Sequence, residues 1–151
     1  MKFFVVVKPL DGEFSLQQKI ARFDTISLGI NAFEKDRILI LSSGRNMARG
    51  DVSLLSKALS DNLNSAGPVE VHQMLGSDIN PQSKTADILR LIELRRNKAE
   101  VLILIPDPEI ADVLPDAFTD SEGYARIFKT EMKPGEAAIV DCELRHLHLV
   151  H

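Results

Sequence analysis

The chain has one cysteine, one tyrosine, no tryptophan and four histidines among 151 residues. A single cysteine, Cys142, excludes an internal disulfide and fits a reducing, cytoplasmic setting. It sits in the apolar run AAIVDCEL, where a small buried side chain is expected; a reactive thiol wants nearby positive charge or a helix N-terminus. Long apolar stretches are also missing at the N-terminus. The run Phe3 to Val7 is cut by Lys8-Pro9, too short for a secretory signal core and far too short to span a membrane. Positive charge is outnumbered, with 18 lysines and arginines against 22 aspartates and glutamates. The net charge is −4 and the basic residues are scattered, apart from Arg95, Arg96 and Lys98, which argues against a nucleic-acid partner. There is no internal repeat, low-complexity segment or linker, so residues 1–151 read as one domain.

What is present is ordinary for a soluble protein: 44% hydrophobic and 26% charged residues. A chain of this size buries roughly 68–70% of its unfolded surface, enough for one core. Strand and helix patterns alternate. Phe3 to Val7 is a β-branched and aromatic run typical of a strand buried on both faces. Leu16 to Phe33 has a helical rhythm through Leu16, Ile20, Phe23, Ile26, Ile30 and Phe33, with Gly29 as a candidate break. Ile38 to Leu41 is a second buried strand. Asp51 to Leu63 is a helix with Val52, Leu55, Leu59 and Leu63 on one stripe, stopped by Gly67-Pro68. Val69 to Met74 is a third strand.

Ser83 or Thr85 is expected to cap the next helix, which buries Ile88, Leu89, Leu91, Ile92 and Leu94. Val101 to Ile105 is a fourth buried strand. Asp107 reads as an N-cap with Pro108 at the first helical position, and Pro115 is expected to cut that helix short. Two last strands are expected near Tyr124 to Phe128 and Ala137 to Val150. The alternation implies an α/β fold with a parallel-rich sheet covered by helices on both faces. In such sheets ligands sit at the C-terminal strand ends. These ends are Lys8-Pro9-Leu10, Ser42-Ser43-Gly44-Arg45 and Ile105-Pro106-Asp107, three loops expected to converge.

Taken together, these segments resemble the histidine phosphatase (phosphoglycerate mutase-like) superfamily, nearest in size to the small bacterial phosphohistidine phosphatases. The resemblance rests on MKFFVVV as first strand, SLGINAF in the helix before the second strand, ILSSGRNMA beside the family's Ser-Ser-Pro-x-x-Arg-Ala, and VLILIPDPEIADVL beside its apolar strand, Gly-His and Pro-Glu helix. It covers most of the chain and implies a three-layer α/β sandwich. It also implies a phosphorylated histidine nucleophile from an Arg-His-Gly motif after the first strand, a second histidine after the later strand, and arginines on the phosphoryl oxygens.

Carried over position by position, that chemistry is not matched. The Arg-His-Gly place holds Val7-Lys8-Pro9 or Lys8-Pro9-Leu10, depending on register; with three residues inserted, Asp11 precedes Gly12-Glu13. The helix arginine falls on Met47 and the second histidine on Pro106. The nucleophile must carry a phosphoryl group and release it to water. A lysine near its ordinary pKa is charged and a poor nucleophile. Proline offers no side-chain donor or acceptor, and methionine has no guanidinium fork for phosphate. Losing all these groups removes most of a barrier lowering that normally amounts to roughly 8–23 kcal/mol.

The expectation is therefore a fold relative without turnover, acting as an anion-binding or protein-interaction module with no cofactor. Lys8, Ser42, Ser43, Gly44, Arg45 and Arg49 are the candidate ligand-binding residues, for phosphate or an acidic small molecule. The plainer alternative is a solvated loop whose arginines point outward or pair with Asp51 and Glu13. A second function is an active phosphohydrolase using Asp11 or Asp107 with Mg²⁺, because Asp11, Glu13, Asp51, Asp107 and Glu109 crowd the same edge. A third is a purely structural partner-binding subunit, with Pro9, Leu10 and Pro106 filling the old pocket. No metal site is expected. His146 and His148 alternate on one strand face, but no paired carboxylate motif joins them, and His72 and His151 stand apart.

Overall fold

The apolar runs form the centre of the molecule. A computed structural model describes residues 1–10, 14–30, 36–63, 67–77, 81–125 and 129–151, and for 81–83 the backbone alone. Its strands are β1 (Phe3–Val7), β2 (Ile38–Ser42), β3 (Val69–Val71), β4 (Val101–Ile105), β5 (Ala137–Asp141) and β6 (His146–Val150). They make one mixed sheet in the order β3-β2-β4-β1-β5-β6. The first four run parallel, β5 runs antiparallel to β1, and β6 antiparallel to β5. The helices are α1 (Leu16–Gly29), α2 (Gly44–Ala48), α3 (Asp51–Leu63), α4 (Pro81–Arg95) and α5 (Pro108–Ser121). The mixed α/β fold with helices between parallel strands is the one the alternation predicts.

β2 and β4 are buried along their whole length, which is why their sequences lack any polar alternation. Successive strand residues divide between two apolar clusters. Phe4, Val6, Leu41 and Leu104 pack with Ile88 and Ile92 of α4 and Leu114 and Phe118 of α5. Val5, Val7, Ile40 and Ile103 pack with Phe23 and Ile26 of α1 and Val52, Leu55 and Leu59 of α3. The Phe4 and Phe118 rings lie 4.2 Å apart between centroids. Each such buried side chain contributes about 1.5–3 kcal/mol.

Several boundaries differ from the sequence reading. α1 opens on a capping box that the pattern did not reveal: Gln18 N donates to Ser15 Oγ (3.2 Å) and Ser15 N to Gln18 Oε1 (2.8 Å). It closes at Gly29, where a Cβ would lie 2.8 Å from a Val150 methyl; the expected extension to Phe33 falls on residues outside the described set. α4 starts at Pro81, so Ser83 and Thr85 lie inside the helix instead of capping it; the fixed φ of proline suits a first turn. α5 runs fourteen residues, straight through Pro115. The missing N–H costs a hydrogen bond, but Ile110, Ala111, Leu114 and Phe118 are buried on both sides of it, and that packing outweighs the local penalty.

β3 stops at Val71, and Gln73–Leu75 form a 3-10 turn that sinks Leu75 into the core. The last expected strand is a hairpin. Asp141 Oδ1 accepts from Glu143 N (3.0 Å) and Leu144 N (2.9 Å), and Arg145 at φ 55° turns the chain back into β6. Tyr124 and Ala125 are not in a strand, and the rest of that expected strand lies outside the described residues. No helix among the described residues is long and apolar enough to cross a membrane.

Candidate functional site

β2 and β4 are neighbours with Ser42 opposite Ile105, so the residues after them leave the sheet side by side. Ser43 N donates to Ile105 O (3.1 Å) and prolongs the ladder by one step. Ser43 then caps α2: its Oγ accepts from Asn46 N (3.2 Å) and donates to Asp107 Oδ1 (2.8 Å). The other Asp107 oxygen accepts from Ser77 N (2.9 Å) and Ser77 Oγ (3.0 Å). Asn46 Nδ2 donates to both Ile105 O and Pro106 O, each at 2.9 Å. Ser43 and Asn46 are fully buried and Asp107 nearly so. Asp107 takes the N-cap place of α5, as its position before Pro108 suggests, but its carboxylate makes no cap bond and is turned toward Ser43 and Ser77.

Beside this junction lies an open depression of about 450 Å³, lined by Gly44, Arg45, Gln73, Gly76, Ser77 and Asp107. The Arg45 guanidinium is exposed and makes no ion pair with the described residues. Lys84, nearly buried, donates to Gly76 O at 2.6 Å and fixes one wall.

The loop after β1 is organised separately. Lys8 Nζ donates to Asp112 Oδ1 (2.6 Å) and Met132 O (3.1 Å), while Pro9 and Leu10 are buried. Arg49 Nη2 donates to Leu10 O, which ties this loop to the turn after α2. Arg49 Nε is 4.0 Å from Asp51 Oδ2, and Lys19 Nζ is 3.7 Å from Asp51 Oδ1. Asp51 is fully buried and neither carboxylate oxygen has a hydrogen bond. Burial pushes its carboxyl above the usual 3.8, and the charges of Arg49 and Lys19 oppose that only in part.

Of the six ligand-binding candidates, Gly44 and Arg45 line the depression and Ser43 holds the carboxylate beneath it. Ser42 is buried with its hydroxyl donating to Ser43 O (2.8 Å), Lys8 is engaged by Asp112, and Arg49 by Leu10 O. These three do not line it. Met47 is exposed on α2, Pro106 is buried, and Glu109 faces solvent. Asp11 and Glu13 lie outside the described residues. Asn46 and Ser77 are the site residues that sequence reasoning missed. Asn46 stands three residues after a capping serine, a readable spacing; Ser77 carries no local signal, because its partner is 30 residues away.

The histidines lie elsewhere. His72 follows β3, with Nε2 2.9 Å from Glu70 Oε1; bonds from Arg95 chiefly hold the Glu70 carboxyl below its usual range. The His146 and His148 rings stack 5.9 Å apart on β6, and His151 Nδ1 pairs with Glu136. Among the described residues no three His, Cys, Asp or Glu side chains are grouped to hold a metal ion. Cys142 is half-buried, and burial pushes its thiol up, away from reactivity.

No protein-family model matches the chain, and no curated protein is significantly similar to it in sequence. Solved structures are similar in fold. One is a candidate phosphohistidine phosphatase, SixA, from Agrobacterium tumefaciens: TM-score 0.62 and 11% identity, covering 99% of this chain and 95% of that one. Another is the protein histidine phosphatase SixA complexed with tungstate: TM-score 0.57 and 12% identity, covering 97% of this chain and 93% of that one. The chain thus has a SixA-like, phosphoglycerate mutase-like α/β fold.

Proposed function

We propose that this chain is a three-layer phosphatase-fold domain without phosphoryl transfer, in which the reacting centre is replaced by a closed polar junction and an adjoining anion-binding depression. The observation that carries this reading is the Ser43–Asp107–Ser77 bridge, whose buried Ser43–Asp107 bond locks the ends of β2 and β4 together. The segments after β1 and β4, where the resemblance places histidines, hold Lys8-Pro9-Leu10 and Pro106. Pro9, Leu10 and Pro106 are buried and offer no side-chain nucleophile, and the Lys8 amine is engaged by Asp112 and Met132 O. Arg45 supplies the charge for an anion, with the Ser77 hydroxyl beside it. The single thiol and the net charge of −4 fit a cytoplasmic setting and a small acidic ligand or protein partner instead of nucleic acid.

Tungstate, which occupies a SixA structure, is a fitting probe. In an NMR titration the expected result is saturable shifts at Gly44, Arg45 and Ser77, lost in Arg45→Ala. Absence of saturable shifts would leave the fold as a purely structural partner-binding subunit. The second reading, an active phosphohydrolase working through a carboxylate, is favoured by the likeness to phosphatases. It requires Asp107 to release Ser43 and Ser77. Hydrolysis of generic phosphoesters with Mg²⁺, abolished by Asp107→Asn, would establish it in place of the first.

A further inference from the structure

The two edges of the sheet are built differently. β3 is three residues long, follows Pro68, and carries Glu70, which accepts from Arg95 Nε (3.1 Å) and Nη2 (2.9 Å). Brevity, charge and a flanking proline are the features that keep an edge from pairing. β6 is five residues, HLHLV, with no lysine, proline or carboxylate, and it pairs on one side with β5. Among the described residues no strand covers its other side.

α1 lies on the same face as His146, His148 and Val150, since Val150 packs against the cluster that holds Phe23 and Ile26 of α1 and touches the Gly29 position. The exposed residues of α1 are Leu16, Gln17, Gln18, Ile20, Ala21, Thr25 and Leu28, none of them charged. Leu16 and Leu28 are 62% and 68% exposed, so these are not core residues showing an edge. The charged residues of the helix are half-buried and lie to its sides: Lys19 toward Asp51 (3.7 Å), Asp24 Oδ1 accepting from Asn62 Nδ2 (3.1 Å), and Arg22 near Gly135. Some polar groups of the outer face are satisfied from within, Ser15 by Gln18 and Thr25 Oγ1 by Ala21 O (3.0 Å). The exposed faces of α4 and α5, by contrast, carry Asp87, Arg90 and Glu93, and Glu109, Asp112 and Asp120.

We propose that a second copy of this chain docks here, pairing β6 with β6 antiparallel about a two-fold axis and bringing the two α1 faces together. The occupant is a copy because the surface suits itself. An axis at His148 sets His146 against Val150 and Leu147 against Leu149, and an uncharged helix face meets its equal with no like charges opposed. The strand edge alone is too small for a stable contact, about 800 Å² per partner being typical, and the α1 face extends it.

Sedimentation velocity over a concentration series tests this. The wild-type chain is expected to dimerise reversibly. His148→Lys and His148→Glu, at an exposed position, are each expected to weaken association by about tenfold or more, because the axis sets residue 148 against itself. An equimolar mixture of the two variants is expected to recover the dimer. Leu28→Glu is expected to weaken it too, with circular dichroism unchanged in all three and Tm unchanged at concentrations where the wild type is monomeric. A wild-type monomer into the high-micromolar range would overturn the proposal. So would a dimer indifferent to these changes, or a mixture that fails to associate.

Discussion

Two buried aspartates stand at the same end of the sheet and are treated in opposite ways. Asp107 has both oxygens hydrogen-bonded, to Ser43 and to Ser77, and so joins three segments of chain. Asp51, at the start of α3, is more deeply buried and has no hydrogen bond, only Lys19 and Arg49 at 3.7 and 4.0 Å. The difference shows what a buried carboxylate contributes. Hydrogen-bonded, it is a fastener. Unbonded, it is a local cost offset only partly by distant charge.

The largest effect is expected at the fastener. Asp107→Ala strands the buried Ser43 hydroxyl and unties the half-buried Ser77 from the ends of β2 and β4. A loss of about 3 kcal/mol is expected, or a Tm lower by roughly 6–12 °C, read by urea and thermal unfolding. A loss under about 1 kcal/mol would show that Asp107 joins nothing.

Asp51→Asn sharpens the contrast, with the opposite sign. The carboxyl in the folded state titrates above its usual 3.8, so the folded chain holds this proton longer than the unfolded one. Stability from this group therefore falls as pH rises from 3.8 through the folded value. The variant is expected to gain on the wild type as pH is raised from about 4 to about 7, in paired urea titrations. A gain that shrinks over that range would mean that Lys19 and Arg49 outweigh the burial.

The smallest effect belongs to the first loop. Lys8→Met removes a contact to Asp112, whose side chain is 49% exposed, and should cost no more than about 1 kcal/mol. A larger loss would make this loop a fastener equal to Asp107.

The architecture was legible where burial dictated residue type. The apolar runs of β1, β2 and β4 needed no tertiary information, and α3 follows its stripe from Asp51 to Leu63. The reading failed where tertiary packing overrode a local rule, at Pro115 inside α5 and at the Asp141 turn that splits one expected strand in two. In the site, the Ser-Ser-Gly turn was visible, but the direction of each side chain was not. Whether Asp107 caps its own helix or crosses to Ser43, 64 positions away, depends on strand order, which no local pattern encodes.

The proposal that this SixA-like fold does not turn over is tested most directly by a ³¹P NMR time course of the chain with phosphoramidate or a phosphohistidine peptide. The phosphorus–nitrogen bond is expected to persist at the rate seen in buffer, while tungstate still shifts Gly44, Arg45 and Ser77. Release of inorganic phosphate in proportion to protein concentration, abolished by Asp107→Asn or Lys8→Met, would contradict it.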